Sequence, residues 1–387
     1  MTEPEQPPQS TRAPDSAPQI APLNQPEQLL TLRARVAEVM VIDQAQPDPN
    51  NNAVMFLGKL KIDSSIAYET LTVRLKEIGY FALLRDIDND PTQNEAQRHV
   101  FITIKGDNNV VVKTRPWVNL LLFIATFAST AFAGALFSRS VFSNSSSSFS
   151  WSDIVSYGLP FAVTLLGVLG VHELGHYVFA RKHKLPVTLP FFIPMPIGLG
   201  TLGAFIQMRG MPRDKRALFD VGLAGPIAGL LVAIPLYVVG LLMAETTSTP
   251  APATRAILME QLIAIFRPDA VNVGILFNPV LYAARVGLVI TMLNLLPVGQ
   301  LDGGHIAYAA LGRKWARWIA YATLAIMAIL GFTVSSNWLI WLLFASMGGG
   351  ARHAPAMDDV TPLGIRRNVI FIAAVILFLS LFTARPF

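Results

Sequence analysis

The sequence predicts a polytopic α-helical membrane protein of about six to seven spans with a small α/β soluble domain at its N-terminal end. Three observations lead there. Hydrophobic residues make up 52% of the 387-residue chain against 14% charged residues, and the mean hydropathy is +0.47, too apolar for a soluble enzyme of this length. Beyond residue 115 the apolar residues gather into runs of membrane-spanning length. Residues 28–112, in contrast, show short β-rich stretches around one helical period.

Taken in order, residues 1–27 are rich in Pro, Gln and Ser, with acidic residues and no apolar segment, and read as a disordered tail and not as a signal. Over residues 28–112 the pattern predicts strands in ARVAEVMVID (Ala34 to Asp43), AVMFLGKLKI, FALLRDID and HVFITIKG, with a helix in SSIAYETLTVRLKEIGY, a ββαββ-like soluble α/β domain. Residues 113–387 form the membrane domain. Seven spans are expected: Trp117 to Phe137, Gly158 to Ala180, Ala217 to Met243, Pro279 to Leu296, Trp318 to Phe332, a short one at Trp338 to Met347, and Val369 to Phe382.

The net charge of +5 does not indicate nucleic acid, because the basic residues flank apolar runs and are not interleaved with stacking aromatics. They report topology instead. One side of the spans would carry Lys113, Arg115, Arg181, Lys182, Lys184, Arg209, Arg213, Lys215, Arg216, Arg313, Lys314, Arg317, Arg352, Arg366 and Arg367; the other would carry only Arg139, Arg255, Arg267 and Arg385. That asymmetry predicts a cytoplasmic N terminus and an odd number of spans, in a bacterial inner membrane. The chain has no cysteine, so a metal would have to be held by His, Asp or Glu.

GVLGVHELGHYVFARKHK (Gly167 to Lys184) breaks the apolar pattern of the second span with His172, Glu173 and His176. Four residues apart on a helix, the two imidazoles lie on one face and can reach one metal ion, with Glu173 beside them for proton transfer. At about 1.5 Å per residue, His176 lies roughly 7 Å and His172 roughly 13 Å from Arg181, inside the bilayer yet near its edge. A histidine pair satisfied by polar neighbours in a bundle is the plainer alternative. A catalytic zinc takes three protein ligands and keeps a fourth position open, and the best third donor is Asp302 in NLLPVGQLDGGH, where Pro297 breaks the fourth span. Helix N-capping is the competing role for Asp302.

HELGH within a span, together with Asn294, Pro297, Asp302 and Gly303 in the pattern NxxPxxxxDG, resembles the site-2 protease family of intramembrane zinc metalloproteases (peptidase M50-like). GLAGPIAG, Gly222 to Gly229, is similar to that family's small-residue span, where glycines let helices approach closely. The resemblance is strongest over Trp117 to Gly312. It implies that His172, His176 and Asp302 hold Zn²⁺, that Glu173 takes a proton from water and passes one to the leaving amine, and that Asn294 stabilises the oxyanion. The implied partners are transmembrane protein substrates within the lipid bilayer, with no nucleic acid. PVTLPFFIPMPIGLGTLGAFIQMRG (Pro186 to Gly210) looks like the membrane-associated β-hairpin between spans two and three that offers an edge to extended substrate; ordinary packing or lipid anchoring is its alternative.

Glu245 to Asn278 leaves no room for a PDZ domain, so the chain is similar to the PDZ-less branch with a soluble N-terminal domain; where that branch often carries GNLR, this sequence has Gly58, Lys59 and Leu60. His305, one turn beyond Asp302, is a candidate support for the site, and Arg285 a candidate intramembrane functional charge. His183 is expected to be solvated, Asp220 to pair with an arginine or cap a helix, and His99 and His353 to belong to no constellation. The function class to set against proteolysis is a polytopic divalent-metal transporter, although internal repeats with ligands in corresponding halves are not seen.

Overall fold

The computed structural model describes residues 26–48, 52–86, 99–105, 115–142, 149–250, 255–276, 278–347, 350–351 and 353–385. The tail expected over residues 1–27 lies outside them up to residue 25, as do Lys113 and Arg352, and nothing is described of the Arg139 side chain. The chain divides into two compact units, Met1–Asp107 and Asn108–Phe387.

The first unit runs α1 (Pro26–Val39), β1 (Met40–Asp48), β2 (Ala53–Leu60), α2 (Ser64–Lys76), β3 (Tyr80–Asp86) and β4 (His99–Lys105), and the strands form one antiparallel sheet in the order β1-β2-β4-β3. Helix α2 starts where the Asp63 side chain accepts from the Ser65 amide at 2.9 Å, satisfying a donor that the helix leaves open. It buries Ala67, Tyr68, Leu71 and Leu75, a helical stripe, against a core that includes Phe56, Leu84 and Phe101. The strand expected from Ala34 is corrected. Leu32, Val36 and Val39, all buried, are four and three residues apart, a helical spacing that the β-branched composition of the stretch obscures.

The membrane unit begins with α3 (Pro116–Phe142); a short α4 (Trp151–Asp153) and a π-helical turn, Ile154–Gly158, lead into α5 (Leu159–Lys182). A hairpin of β5 (Phe191–Pro194) and β6 (Thr201–Phe205) follows, then α6 (Lys215–Leu242). The connection beyond α6 holds β7 (Thr246–Pro250), α7 (Ile257–Phe266) and β8 (Val273–Ile275), elements too short to form an apolar run of spanning length. Next come α8 (Pro279–Asn294), α9 (Asp302–Thr333), α10 (Asn337–Met347) and α11 (Ile365–Leu381). Among the described residues four segments, Pro116–Phe137, Trp151–Lys182, Lys215–Leu242 and Asp302–Thr333, are long and apolar enough to cross a membrane; α8, α10 and α11 have 16, 11 and 17 residues.

Helix α9 starts well before the expected Trp318. At about 1.5 Å per residue its 32 residues would measure about 48 Å, against a hydrocarbon core of about 30 Å. It is not one rod: Gly312 has φ 76° and ψ 172°, a left-handed-side conformation that favours glycine. Residues 302–311, about 15 Å long, form a half-helix, and residues 313–333, about 31 Å long, match a crossing.

The hairpin is fastened to α3. Asn119 Nδ2 donates to the carbonyls of Leu189 (3.1 Å) and Pro190 (2.8 Å), and Ser129 Oγ donates to that of Gly200 at 2.6 Å. Elsewhere in the unit, Asp220 of α6 accepts from Arg367 Nε and Nη2 of α11, both at 2.8 Å, and lies 3.0 Å from His183 Nε2. The solvated His183 of the sequence reading is thus corrected: a carboxylate within the fold draws it in. Because the guanidinium pairs with both oxygens and is only part exposed, a double-mutant cycle between Asp220→Ala and Arg367→Ala should return a coupling of roughly 1–2 kcal/mol in thermal unfolding. Additive effects would show that α11 is held by packing alone.

Candidate metal centre

Helix α5 presents His172 and His176 on one face, and both side chains are buried, with 3% and 7% of their surface exposed. Their Nε2 atoms lie 3.1 Å apart. Asp302 arrives from the start of α9, with Oδ2 3.2 Å from His172 Nε2 and Oδ1 3.2 Å from His176 Nε2. The helix N-cap is Leu301 and no side chain caps it, so the Asp302 carboxylate faces the imidazoles and does not cap its own helix.

The three residues could hold a metal ion. With one atom taken from each residue, the ligand atoms lie within 4.8 Å of one another, and a tetrahedral ion with bonds of about 2.0–2.1 Å sets its ligand atoms about 3.3 Å apart, as the two Nε2 atoms, 3.1 Å apart, nearly are. The tautomer also fits. His176 Nδ1 lies 2.7 Å from the Val221 carbonyl of α6; a carbonyl only accepts, so Nδ1 carries the proton and Nε2 keeps its lone pair for a metal.

Helix α6 can pass this close because it carries no side chain at the crossing. A Cβ built on Gly225 would lie 2.1 Å from His176 Nε2, and one on Gly229 3.2 Å from His172 Nδ1. The turn before Asp302 is equally tight: a Cβ on Gly303 would fall 2.0 Å from the Leu295 carbonyl oxygen. Glycines in GLAGPIAG and DGG therefore serve the same few cubic ångströms.

Glu173 is buried, with 7% exposed, and its carboxylate faces the backbone amide of Ile206, just past β6. Asn294, the last residue of α8, puts Nδ2 3.3 Å from His172 Nε2. Around these groups lies a cavity of about 190 Å³ whose walls include Ala204, Phe205 and Ile206 of the hairpin, Gly222, and Gln300 and Leu301 of the turn. The structure thus brings together His172, Glu173, His176, Asn294 and Asp302.

His305 also reaches the cavity wall, and its Nδ1 is hydrogen-bonded to His353 Nε2. This corrects the expectation for His353, which also stacks on Tyr308 at 4.4 Å between ring centroids, while the Tyr308 hydroxyl donates to Asp359 at 2.7 Å. Burial pushes the His353 imidazole down to about 4. Arg285 lies in α8, away from the centre, in the electrostatic neighbourhood of Tyr237, Tyr282 and Arg255; the structure does not bring it to the site. The Ile206 amide, the Val221 carbonyl and His353 escaped sequence reasoning, since main-chain groups and a lone histidine carry no spacing signal.

Residues 160–334 match the model for Peptidase family M50. The chain is 27% identical over 357 residues to "Probable zinc metalloprotease EGY2, chloroplastic" of Arabidopsis thaliana, covering 88% of this chain and 61% of that protein. It is 30% identical over 247 residues to "Probable zinc metalloprotease EGY1, chloroplastic" of Oryza sativa subsp. japonica, covering 60% and 41%. With "Probable zinc metalloprotease EGY3, chloroplastic" of Oryza sativa subsp. indica it shares 29% identity over 293 residues, 69% and 48%. The chain spans about three fifths or less of the length of these relatives.

One test follows from the glycine crossing. Gly225→Ala should lower bound metal strongly, because its methyl group takes the space of His176 Nε2, while Gly229→Ala, where the methyl would sit 3.2 Å from His172 and the ring need give way only slightly, should lose less; metal analysis and thermal unfolding of the purified variants compare them. Equal metal content in both would remove the close approach from the account. With its donor atoms on α5 and α9, and α6 laid against them, the segment 160–334 is similar to peptidase family M50.

Proposed function

We propose that the protein is an intramembrane zinc metalloendopeptidase that hydrolyses peptide bonds within or near transmembrane segments of other membrane proteins. The observation that carries this reading is the meeting of His172, His176 and Asp302 donor atoms at 3.1–3.2 Å beside a buried Glu173. We assign residues 28–112 to an accessory soluble domain and residues 113–387 to the protease domain. Seven spans remain the working topology, with α10 and α11 the shortest additions to the four long segments.

His172, His176 and Asp302 would hold Zn²⁺. The chemistry Zn²⁺ supplies when bound is Lewis-acid polarisation of a carbonyl and acidification of water. Glu173, one residue from a ligand and facing the same cavity, takes the proton of the attacking water and returns one to the leaving amine. Asn294 offers its amide N–H to the charge that develops on the scissile carbonyl oxygen. A helical peptide bond is shielded by its own hydrogen bonding, so the substrate must be extended locally before attack. β6 pairs with β5 along one edge, and its end lies at the cavity beside Glu173; an extended substrate segment adds to that end as a strand. Val221 holds the His176 ring in orientation throughout.

The compartment proposed is a bacterial inner membrane with the centre toward the cytoplasm, supported by the basic flanks; the relatives above are named as chloroplastic. Because the chain lacks cysteine, single engineered thiols report on this directly. A cysteine replacing Thr247 should react with an impermeant maleimide from outside intact cells, and one replacing Lys184 or Lys314 should not. The reverse pattern would turn the whole unit over in the membrane.

The activity itself is tested with purified protein, zinc and single-span substrates. Glu173→Gln should cut at least about 10²-fold more slowly while keeping near-stoichiometric zinc, and His172→Ala or Asp302→Ala should lose both zinc and cleavage. Cleavage that persists undiminished in Glu173→Gln would sink the assignment of the base, and full zinc in Asp302→Ala would sink that of the third ligand.

A further inference from the structure

Between the second half of α9 and the turn that carries Asp302 lies another cavity, of about 430 Å³, distinct in lining from the metal centre. Arg313, Arg317 and Tyr321 stand on its α9 wall, each one helical turn after the last. Ala316 and Ala320, buried on the same face, provide the room. Across the cavity lie Gly299 of the turn, Tyr308 and His353. Two features ask for a ligand. Among the described residues neither Arg313 nor Arg317 has a carboxylate partner, and no carboxylate lines the cavity. His353 Nδ1, in the opposite wall, is buried without a well-formed hydrogen bond, its imidazole having the main chain of Ala354 beside it as a polar neighbour in addition to His305; in the tautomer whose Nε2 accepts from His305, Nδ1 is a donor.

Two guanidinium groups a turn apart, facing a spare ring nitrogen and no acid, are the donor set of a phosphate group. The setting says where that phosphate comes from. Trp315 and Trp318 are 64% and 63% exposed and Tyr321 52%; Tyr321 stands in the cavity wall, and the two tryptophans lie on the same turns of α9 outside the cavity. Such amphipathic rings gather at the headgroup level of a membrane, and Arg residues there attract anionic lipid. We propose that this cavity binds the phosphate of an anionic phospholipid headgroup, with Arg313 and Arg317 as its ligands. The proposal is independent of the protease assignment. The bound headgroup would lie against the turn of Gly299 and brace the approach to Asp302.

The experiment counts lipid retained by the purified full-length protein, by native mass spectrometry, after equilibration with vesicles of phosphatidylcholine alone or with phosphatidylglycerol added. The wild type should keep one phosphatidylglycerol in preference to phosphatidylcholine. Arg313→Gln/Arg317→Gln should bind it about 30-fold more weakly, at about 1 kcal/mol per basic residue. Lys182→Gln/Lys184→Gln, which removes equal charge elsewhere, should bind as wild type. Ala316→Trp, which fills the cavity without changing charge, should also lose the lipid, so that loss cannot be laid to charge or misfolding alone; its melting temperature is the control. An arm with millimolar inorganic phosphate separates the sources. Failure of phosphate to displace the lipid supports a headgroup held with its glycerol, whereas phosphate binding with no lipid retained overturns the lipid source. Equal retention of the two lipids, or undiminished phosphatidylglycerol in the double Arg variant, overturns the site.

Discussion

The interaction on which the rest depends is the approach of α6 to the two histidines of α5. Imidazoles and carboxylates taken out of water in an apolar bundle are costly unless each finds a partner. Here the partners are one another and the main chain: Asp302 faces both rings, and the Val221 carbonyl fixes one of them. No side chain could reach so far into that space without displacing the ring it was meant to support. A bare backbone at Gly225 and Gly229 gives the room, the Val221 carbonyl one turn earlier gives the acceptor, and hence the small-residue composition of α6 is a chemical requirement as much as a packing one.

The centre is then closed from two other directions by irregular chain. The hairpin delivers the Ile206 amide and the cavity wall, and α3 holds it through Asn119 and Ser129. The turn from Asn294 to Asp302 delivers an amide at one end and a carboxylate at the other. Non-helical backbone at membrane depth is tolerable only where protein or a cavity satisfies it, and both segments meet that condition against the same 190 Å³.

Much of this was legible in the sequence because the side chains that carry chemistry recur at helical spacing. His172 and His176 announce a shared face, and Asp302 follows a proline break with glycines after it. The hairpin was readable from Pro and Gly in an apolar stretch. Less legible were features fixed by tertiary contact. Helix α1 was hidden because Val36 and Val39 suit a strand by composition, and only their burial with Leu32 on one stripe decides for helix. His353 carries no local pattern; it is joined to His305 by the fold across 48 positions. Helix α9 was read from Trp318 onward because charge at Arg313, Lys314 and Arg317 interrupts the apolar run, yet the backbone stays helical on both sides of Gly312.

That glycine also governs how disturbance travels. A continuous helix transmits tilt and rotation along its axis as a rod does, so thinning of the bilayer, or jostling of residues 313–333, would be felt at once by a ligand fixed to the other end. The extended backbone dihedral at Gly312 interrupts the hydrogen-bonded column and acts as a universal joint. Residues 302–311 are clamped instead to the loop and to α6, where Gly303 touches the Leu295 carbonyl and His305 lies against Gly222. The carboxylate therefore keeps station with α5 and α6, and mechanical noise from the lipid is absorbed nearly three turns short of the chemistry.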